Sequence, residues 1–457
     1  GLRVDTEKYA YLLRLNPTKG DYNFYCYCYV KEWLNKHIQK AEQGIRFTRF
    51  HTSSLSASTR AMLLTGVDNH QNGLGIMPPL HAENQYMQPG YEGGINHSVM
   101  TLAEVLHENN YYTCMAGKWH LGAQKENIPS ERGFDQSFTM LGGGAGHFCN
   151  SFALSDSEQP VTFYLDNGKR VDKLPDDFYS TRYYTDKMIE YLRKCPQNKP
   201  FFSYLAFTAP HDPLQIIPEW KNRNKGMYDG GYDSIRVARL ERQRQMGLIP
   251  AQTPDTGLSN PNKQWDFLNE EQKKEQSRKM EIYASMIEYV DYSIGRVIKE
   301  LEEEHKLNNT LILFMSDNGA NPKEPESYPG NTKETIQERY DNQLGNYGNS
   351  NSFISLGEAW AEVCNTPYSL YKMTTHEGGI CVPLIISGKN MPQKGSIDHS
   401  TLLHVTDLFP TILEYTHTQR PSSYHNISLA PLYGKSFVQK LTDMESSPSR
   451  TSGEALC

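Results

Sequence analysis

The run from Ser56 to Gly66 contains the pair of residues best placed for chemistry. Ser56 and Arg60 are one helical turn apart, and the run follows the β-rich stretch Ile45–Phe50 and leads into an apolar pattern. This order predicts that Ser56 opens a helix, where free N–H groups attract an anion. Residues four apart share one face of a helix. The run therefore predicts either an anion site held by Ser56 and Arg60, or an ordinary serine N-cap beside a surface arginine.

Further polar side chains come directly after the predicted strands. Lys118 and His120 come after Tyr112–Ala116, and His211 comes after Phe201–Phe207. Lys118 and His120 point to one face if the strand geometry persists as far as His120. Because α/β sheets bind ligands beyond the carboxyl ends of their strands, we expect these groups at one edge of a sheet. Taken alone, each is equally well explained as a surface charge or a core histidine.

Two oxygen-bearing side chains come after the predicted strand Thr310–Met315. Asp317 and Asn318 offer the hard oxygen ligands that Ca²⁺ or Mg²⁺ prefers. The alternative is an Asp-Asn-Gly turn, which is common after strands. Lys372 adds a second cation ahead of the predicted strand Leu384–Ser387. The glycine run 142–146 lacks the Lys and Ser/Thr of a phosphate loop, which predicts a turn at the edge of the site.

Taken in order, these segments resemble the sulfatase family. The run from Ser56 to Gly66 is similar to the sulfatase signature Cys (or Ser)-x-Pro-Ser-Arg-x-x-x-Leu-Thr-Gly, with Ser58 and Thr59 in place of Pro and Ser. A second family segment is present downstream as Ala116-Gly-Lys-Trp-His-Leu-Gly122. Ordered agreement of several motifs is more specific than any one motif. From about Gly44 to Gly434 the chain resembles arylsulfatases, within the alkaline-phosphatase-like superfamily.

The resemblance implies an arylsulfatase-type sulfuric ester hydrolase that releases inorganic sulfate from an aryl or related sulfate ester. In this family a maturation enzyme oxidises the first signature residue, here Ser56, to formylglycine, and a hydroxyl of the hydrated aldehyde attacks sulfur. Arg60 would hold that diol. Asp317 and Asn318 would bind the divalent cation, Ca²⁺ or Mg²⁺.

The resemblance also assigns the basic residues. Lys118 and Lys372 would clamp the sulfate oxygens. His120 would handle the proton when the sulfated diol collapses. His211 would protonate the departing oxygen of the ester. The implied partners are a small-molecule sulfate ester and a formylglycine-generating maturation enzyme.

The sequence departs from the family at several positions. The family opens with a buried strand that ends in an adjacent Asp pair, but no Asp-Asp precedes Ser56, and Asp21 lacks a hydrophobic strand before it. Cys381 stands where the family usually has Arg. Anaerobic bacterial maturation accepts Ser, whereas the oxygen-dependent system requires Cys. These departures keep open a catalytically silent relative or an incomplete chain. A phosphoryl-transfer enzyme of the same superfamily, using Ser56 as a plain alcohol, would need a two-metal site that the sequence does not show.

The elements that must position these residues alternate between β-rich and helical patterns, which is typical of layered α/β folds. Apolar residues from Met280 to Leu301 recur at three- and four-residue steps and predict a helix, and Thr101–Glu108 predicts another. The charged, proline-containing stretch Asp229–Lys274 predicts an insertion over the surface, in the form of a solvated helical excursion. With the resemblance, the expected fold is a three-layer α/β sandwich around a large mixed, mostly parallel sheet, with a small C-terminal subdomain largely missing.

Length and composition set the remaining expectations. The chain has 457 residues with 53 acidic and 46 basic side chains, and its net charge of −7 argues against a nucleic-acid partner. No apolar run approaches the ~20 residues of a membrane-spanning helix. Cys26 and Cys28 predict a strand rather than a zinc site. The expected parts are a divergent segment 1–44, a catalytic domain 45–420 and the start of a truncated subdomain 421–457. A soluble protein is expected, and its compartment stays open between cytoplasmic and secreted or periplasmic.

Overall fold

A computed structural model describes residues 44–77, 80–155, 162–388, 391 and 394–442. The predicted divergent segment 1–44, with Asp21, Cys26 and Cys28, lies outside the described residues except for Gly44. The described chain alternates between strands and helices, as the α/β prediction requires. None of the described helices combines the length and the apolar composition needed to cross a membrane.

The strands vary from two to eight residues in length. They are β1 (Gly44–His51), β2 (Tyr112–Lys118), β3 (Gln136–Met140), β4 (Tyr164–Asp166), β5 (Lys169–Val171), β6 (Phe201–Ala206), β7 (Ile312–Met315), β8 (Cys381–Ser387), β9 (Lys394–Asp398), β10 (Leu403–His404), β11 (Ser423–Tyr424) and β12 (Ile427–Ser428). The predicted strands correspond to β1, β2, β6, β7 and β8.

The helices differ widely in length, and short 3₁₀ turns connect several of them. They are α1 (Ser56–Thr65), α2 (Asn69–Asn72), α3 (Leu102–Glu108), α4 (Ser180–Lys194), α5 (Gly231–Gln245), α6 (Glu270–Glu303), α7 (Lys333–Arg339), α8 (Glu358–Cys364), α9 (Glu377–Ile380), α10 (Leu408–Tyr415) and α11 (Val438–Thr442). All three predicted helices are present, as α1, α3 and α6.

Over the described ranges, the strands form two five-stranded mixed sheets and one hairpin, β11–β12. The first sheet has the order β10-β1-β8-β7, with β9 also paired to β1, and the second has the order β5-β4-β3-β2-β6. In the second sheet β2 is parallel to both β3 and β6, whereas β4 and β5 are antiparallel additions. The strands are therefore mixed, as predicted, but they are divided between two sheets rather than joined in one.

A cavity of about 1190 Å³ separates the open edges of the two sheets. No described strand pairs with the outer edge of β6 or of β7, and both strands line the cavity along their whole length. Their side chains are apolar for the most part, yet those of β7 and all but the last of β6 are only half-buried. Unpaired edges of this kind expose a row of backbone N–H and C=O groups. We refer to this space as the inter-sheet cleft.

Two helical layers enclose the second sheet, which gives the three layers that were predicted. Cys114 and Ala116 of β2 belong to a buried cluster that includes residues of α4 and α6. Met115, between them, belongs to another cluster that includes residues of α1, α3 and α10. Alternate side chains of a strand point to opposite faces of its sheet, so the two clusters mark its two faces.

The stretch Asp229–Lys274 contains helix, as the predicted helical excursion requires, but the prediction that it is solvated is wrong for its first helix. Helix α5 lies in this stretch, and its Tyr232 and Ile235 belong to the largest buried cluster. Arg236 is only 1% exposed because its guanidinium donates to the backbone carbonyl of Pro367 and pairs with Asp255. The many charged residues of the stretch predicted exposure to solvent. The Arg236 guanidinium can be buried because backbone carbonyl and carboxylate groups nearby accept its hydrogen bonds.

Candidate active site

Ser56 is the first residue of α1, as the sequence predicts, but it does not cap the helix. The N-cap position is Leu55, which makes no side-chain capping bond. The Ser56 hydroxyl instead donates to Oδ2 of Asp317 over 2.6 Å. Ser56 is almost fully buried. The N-cap alternative is therefore wrong, and the serine belongs to a polar cluster that extends beyond its own helix.

Arg60 connects this helix to the neighbouring strands. Its Nε donates to Ser56 Oγ at 3.0 Å and to Asp317 Oδ2 at 2.9 Å. One terminal nitrogen donates to the carbonyl of Lys118 and to the hydroxyl of Tyr204. The helical spacing of Ser56 and Arg60 thus brings both side chains to the same carboxylate oxygen. The surface-charge alternative for Arg60 is wrong, because this residue is buried.

Asp317 and Asn318 lie just beyond the end of β7, separated from it by Ser316. Burial disfavours the ionised form of Asp317, but Arg60 and Lys118 outweigh burial and hold the pKa of this carboxyl well below its usual range. Asn318 donates through Nδ2 to the carbonyl of Gly319, and its Oδ1 is buried without a hydrogen-bond partner. A buried acceptor with no partner is costly, so Oδ1 is suited to a cation or a donor from outside this set.

Lys118 and Lys372 place two buried ammonium groups at the same site. Lys118 is the last residue of β2, and Lys372 is held by a backbone bond to Ala320 just beyond β7. Burial lowers the pKa of both lysines, and for Lys118 the nearby charge of Arg60 adds to the effect. Side chains that are costly to keep charged in isolation are suited to binding an anion that restores the charge balance.

His120 reaches this site through a turn rather than along the strand. Strand β2 ends at Lys118, and His120 has a left-handed backbone with φ of 63°. The expected continuation of strand geometry is therefore wrong at this position. Burial, together with the charges of Lys118 and Arg60, lowers the pKa of His120 well below its ordinary value. Its Nδ1 is buried and has no hydrogen-bond partner.

His211 lies beyond the end of β6 and contacts the second lysine. Its Nε2 lies 3.2 Å from Nζ of Lys372. Its Nδ1 lies 2.8 Å from Oδ1 of Asp212. Burial and the Lys372 charge lower the pKa of His211, while Asp212 opposes that shift. The structure therefore brings all eight predicted residues to one region, at the end of the inter-sheet cleft or beside it.

The glycine run lies at the edge of this region, as predicted. A Cβ at Gly143 would lie 2.9 Å from the ring of His120, and a Cβ at Gly144 would lie 3.5 Å from Nδ1 of His211. A larger residue at position 143 would therefore displace the His120 imidazole. At position 144 the tight contact would be with Cδ1 of Leu154, at 2.5 Å, whereas the distance to His211 is an ordinary van der Waals contact. This explains in part why glycines occupy the run.

Several residues of the site were not identified from the sequence. Tyr204 belongs to no obvious motif, since it is one aromatic residue within the apolar strand β6. Asp212 was visible as the residue after His211, and an Asp beside a candidate His is a usable signal. Asn321, Tyr328 and Ser355, which donate to Asp212, come from distant loops, and no local pattern marks them.

The described residues fit a divalent cation only in part. Asp317 and the unpartnered oxygen of Asn318 are ligands of the right chemistry for Ca²⁺ or Mg²⁺. However, Ca²⁺ takes about 6–8 oxygens and Mg²⁺ about six. In the described part of the chain these two side chains fall short of a complete site.

Another group of ligand-type side chains lies apart from these residues. His51 and Cys381 are cross-strand partners in β1 and β8, and Glu377 lies one turn before Cys381. His51 Nε2 is 3.1 Å from both oxygens of Glu377. Cys381, which stands where the resemblance implied an arginine, contacts the carbonyl of Thr48 and the hydroxyl of Tyr368. Burial raises the pKa of the Cys381 thiol to about 12, so it is a thiol rather than a thiolate at neutral pH.

The arrangement combines a buried hydroxyl, three cations, two imidazoles and the carboxylates of Asp317 and Asp212. Such a set can bind a tetrahedral oxyanion and move a proton at its leaving group. A model of the Sulfatase family matches residues 20–418, which is most of the chain. The chain belongs to the sulfatase family. Sulfuric ester hydrolysis, predicted from the motifs, is the activity that this membership supports.

Two relatives illustrate the match. The chain is 39% identical to an arylsulfatase of Klebsiella aerogenes over 397 residues, covering 87% of this sulfatase and 84% of that protein. It is 41% identical to an uncharacterized sulfatase of Schizosaccharomyces pombe over 393 residues, covering 83% of this chain and 70% of that one.

Solved structures agree on the fold. The crystal structure of Ps i-CgsB superposes with a TM-score of 0.57 at 23% identity, covering 89% of this chain and 71% of that one. A structure described as BT4656 with its substrate D-glucosamine-2-N,6-O-disulfate gives a TM-score of 0.53 at 20% identity, covering 91% and 76%. At these identities the likeness shows the fold, and it confirms the predicted α/β class.

Proposed function

We propose that this sulfatase hydrolyses an aryl or related small-molecule sulfate ester through formylglycine at position 56, with the help of a divalent cation. The observation that carries the proposal is the contact of the Ser56 hydroxyl with both Asp317 and Arg60, beside the buried Lys118. The 39% identity to an arylsulfatase supports the aryl class of substrate.

The basic residues around Ser56 bind the sulfate group and position the attacking oxygen. Lys118 and Lys372 bind the non-bridging oxygens of the sulfate group. Their charges stabilise the negative charge that develops on these oxygens in the transition state. Arg60 holds the oxygen at position 56 in line with sulfur. When matured and hydrated, residue 56 supplies the attacking hydroxyl.

Proton transfer belongs to the two histidines. As the bond between sulfur and the ester oxygen breaks, that oxygen keeps the electron pair and takes a proton from Nε2 of His211. The product is the free alcohol or phenol. His120 would then accept the proton of the second hydroxyl at position 56 as that oxygen forms a double bond to its carbon. The bond from this carbon to the sulfate oxygen breaks, inorganic sulfate leaves with the electron pair, and water hydrates the regenerated aldehyde.

A divalent cation would be held by Asp317 and Asn318 and would polarise the sulfate oxygens. The remaining ligands must come from elsewhere. The inter-sheet cleft opens onto these two residues, and its lining is apolar along β6 and β7. The resemblance implies that the family draws further ligands from an adjacent Asp pair at the end of a buried opening strand.

The test is turnover of 4-nitrophenyl sulfate by protein co-produced with a formylglycine-generating enzyme, with Ca²⁺ present. The mass of the peptide that contains residue 56 reports whether Ser56 has lost two hydrogens. Ser56→Ala must abolish turnover. Ser53→Ala is the matched control, because the Ser53 hydroxyl accepts a bond from the Leu55 amide and does not contact Asp317.

A catalytically silent relative is the second candidate, and the shortage of cation ligands favours it. In that case a matured, folded sample would bind sulfated compounds without releasing sulfate. Ser56→Cys with the oxygen-dependent maturation enzyme separates the two: turnover that appears only in this variant shows a site that is competent but lacks its modified residue. No turnover in either form supports the silent relative.

A further inference from the structure

Asp212 is the most completely hydrogen-bonded carboxylate near the site. It is 2% exposed, and Oδ2 accepts from the hydroxyls of Tyr328 at 2.8 Å and Ser355 at 2.9 Å. Its Oδ1 accepts from Nδ2 of Asn321 at 2.6 Å and lies 2.8 Å from Nδ1 of His211. A carboxylate held by donors on both oxygens cannot rotate away from the imidazole that it faces.

Further contacts hold the His211 imidazole and its backbone in place. Nδ1 lies 3.0 Å from the backbone carbonyl of Asp212 in addition to the carboxylate, so both neighbours of Nδ1 are acceptors. His147, whose Nδ1 contacts Ser180, lies 3.0 Å through Nε2 from the backbone carbonyl of His211. The proton of a neutral imidazole must therefore sit on Nδ1, and Nε2 is left to accept from Lys372 at 3.2 Å.

We propose that Asp212 is a positioning residue that holds His211 as the Nδ1-protonated form, with Nε2 aimed at the leaving-group oxygen, and that stabilises the imidazolium from which the ester oxygen takes its proton. The inference rests on the proposed sulfatase chemistry. Asp212 does not touch the substrate and acts only through His211. The loops that carry Asn321, Tyr328 and Ser355 support the carboxylate in turn.

The proton balance of this step is simple. Before the step Nε2 takes up a proton from solvent, which replaces its bond from Lys372. His211 then carries protons on both nitrogens, and Asp212 offsets the positive charge. The proton on Nε2 passes to the ester oxygen as its bond to sulfur breaks. His211 is left neutral with its remaining proton on Nδ1, which is the form that Asp212 selects.

The charged and titratable groups that face His211 decide the direction of a pH effect. Lys372 and Lys118 lower the pKa of the imidazole in addition to burial, and Asp212 opposes them. His147 lies behind the backbone of His211, and burial lowers the pKa of its imidazole to about 4, so it is neutral at pH 7. Removal of the Asp212 charge should therefore lower the pKa of His211 further, and the protonated form should be lost at a lower pH.

Leaving-group dependence provides the kinetic test. Asp212→Asn keeps the shape of the side chain and removes its charge. We expect kcat to fall about 10²-fold for an alkyl or unactivated phenyl sulfate, whose leaving oxygen needs a proton, and far less for 4-nitrophenyl sulfate. The limb of the kcat profile that falls with rising pH should move to lower pH. An equal loss for both substrates with an unchanged pH profile would overturn the proposal, because a merely structural defect predicts that result.

A double-mutant cycle tests whether Asp212 acts through His211. In the His211→Asn background, Asp212→Asn should cause no further loss of kcat for the unactivated substrate. A further loss as large as that in the wild-type background would contradict the proposal. Tyr328→Phe removes one hydrogen bond to Asp212 and keeps both the carboxylate and its charge. This variant should lower kcat for the unactivated substrate by less than Asp212→Asn does.

An NMR measurement separates this proposal from the proposed function. Histidine labelled with ¹³C and ¹⁵N in its imidazole reports which nitrogen is protonated, and His211→Asn identifies the signal of His211. Wild type should show Nδ1 protonation at neutral pH, and Asp212→Asn should show a lower His211 pKa or a mixture of tautomers. Wild type without sulfatase turnover would defeat the proposed function alone, whereas an unchanged His211 signal in folded Asp212→Asn would defeat the positioning role.

Discussion

The hydroxyl of Ser56 lies 2.6 Å from Oδ2 of Asp317, although 261 residues separate the two along the chain. The contact joins the first turn of α1 to the end of β7, and Arg60 donates to the same carboxylate oxygen. Asp317 also interacts electrostatically with Lys118 and Lys372. The cations of the site therefore share this carboxylate, and it stabilises the fold as well as orienting the serine.

Asp317→Asn should lower the free energy of unfolding by about 3–5 kcal/mol, the usual cost of removing one partner from a buried ion pair. The asparagine leaves the Arg60 guanidinium buried beside Lys118 with no compensating charge. Urea denaturation at pH 7 measures the change.

The matched control for that change is Asp166→Asn. Asp166 pairs with Lys187 but is partly exposed, so its loss should cost about 0–1 kcal/mol. Equal effects in the two variants would show that the Asp317 cluster contributes no more than a surface pair.

Acid should destabilise the protein in part through Asp212. Burial opposes ionisation of this carboxyl, but His211 and the hydrogen bonds of Tyr328 and Ser355 outweigh burial and hold its pKa well below the ordinary value. The unfolded chain therefore binds a proton near pH 4 that the folded chain does not bind, and stability falls as the pH drops.

Asp212→Asn removes that proton uptake. The free energy of unfolding of the variant should fall less steeply between pH 5 and pH 3 than that of the wild type. The two slopes should differ by the uptake of up to about one proton on unfolding. Denaturant titrations at a series of pH values measure both slopes. Parallel curves would mean that Asp212 titrates alike in the folded and unfolded chains.

Residues near the end of a strand were predictable because local patterns mark both the strand and the polar residues just beyond its end. The apolar run of β7 predicted where Asp317 would lie, and the apolar run of β6 did the same for His211. Helical spacing placed Arg60 beside Ser56. In each case the pattern within one short segment is enough to place the residue in its element. Because α/β sheets bind ligands beyond the carboxyl ends of their strands, these segments are expected to meet at one site.

Features that depend on distant partners were not predictable in the same way. The ten residues that open α6, from Glu270 to Lys279, lack the apolar stripe, and the first five of them were assigned to the insertion. The capping box of Asn269 and Gln272 nevertheless marks the start of the helix. The burial of Arg236 depends on carbonyl groups that are more than a hundred residues away. The division of the strands into two sheets depends on which edges find partners, and no local pattern encodes that.

The capping box of α3 should contribute measurably to stability. Thr101 accepts from the Glu104 amide, and the Glu104 carboxylate accepts from the Thr101 amide and pairs with buried Arg132. Thr101→Ala should cost about 1–2 kcal/mol of unfolding free energy. Thr332→Ala, in the exposed capping box of α7, is the matched control and should cost less. Thermal and urea unfolding of both variants provide the comparison, and a larger cost at Thr332 would contradict this account.

The inter-sheet cleft should accept an added strand whose last residues are acidic. Strands β6 and β7 both end at the site, so a strand between them that runs parallel to both would bring its carboxyl end to Asp317 and Asn318. A synthetic peptide of valine and isoleucine, with lysines at its amino end for solubility and Asp-Asp at its carboxyl end, should raise the melting temperature and strengthen Ca²⁺ binding, measured by calorimetry. The same peptide ending in Asn-Asn should raise the melting temperature without strengthening Ca²⁺ binding, because an amide side chain offers a weaker oxygen ligand and no charge.

Two outcomes would contradict this prediction. If neither peptide changes the melting temperature, the cleft does not bind an added strand from solution. If both peptides strengthen Ca²⁺ binding equally, the carboxylates are not ligands.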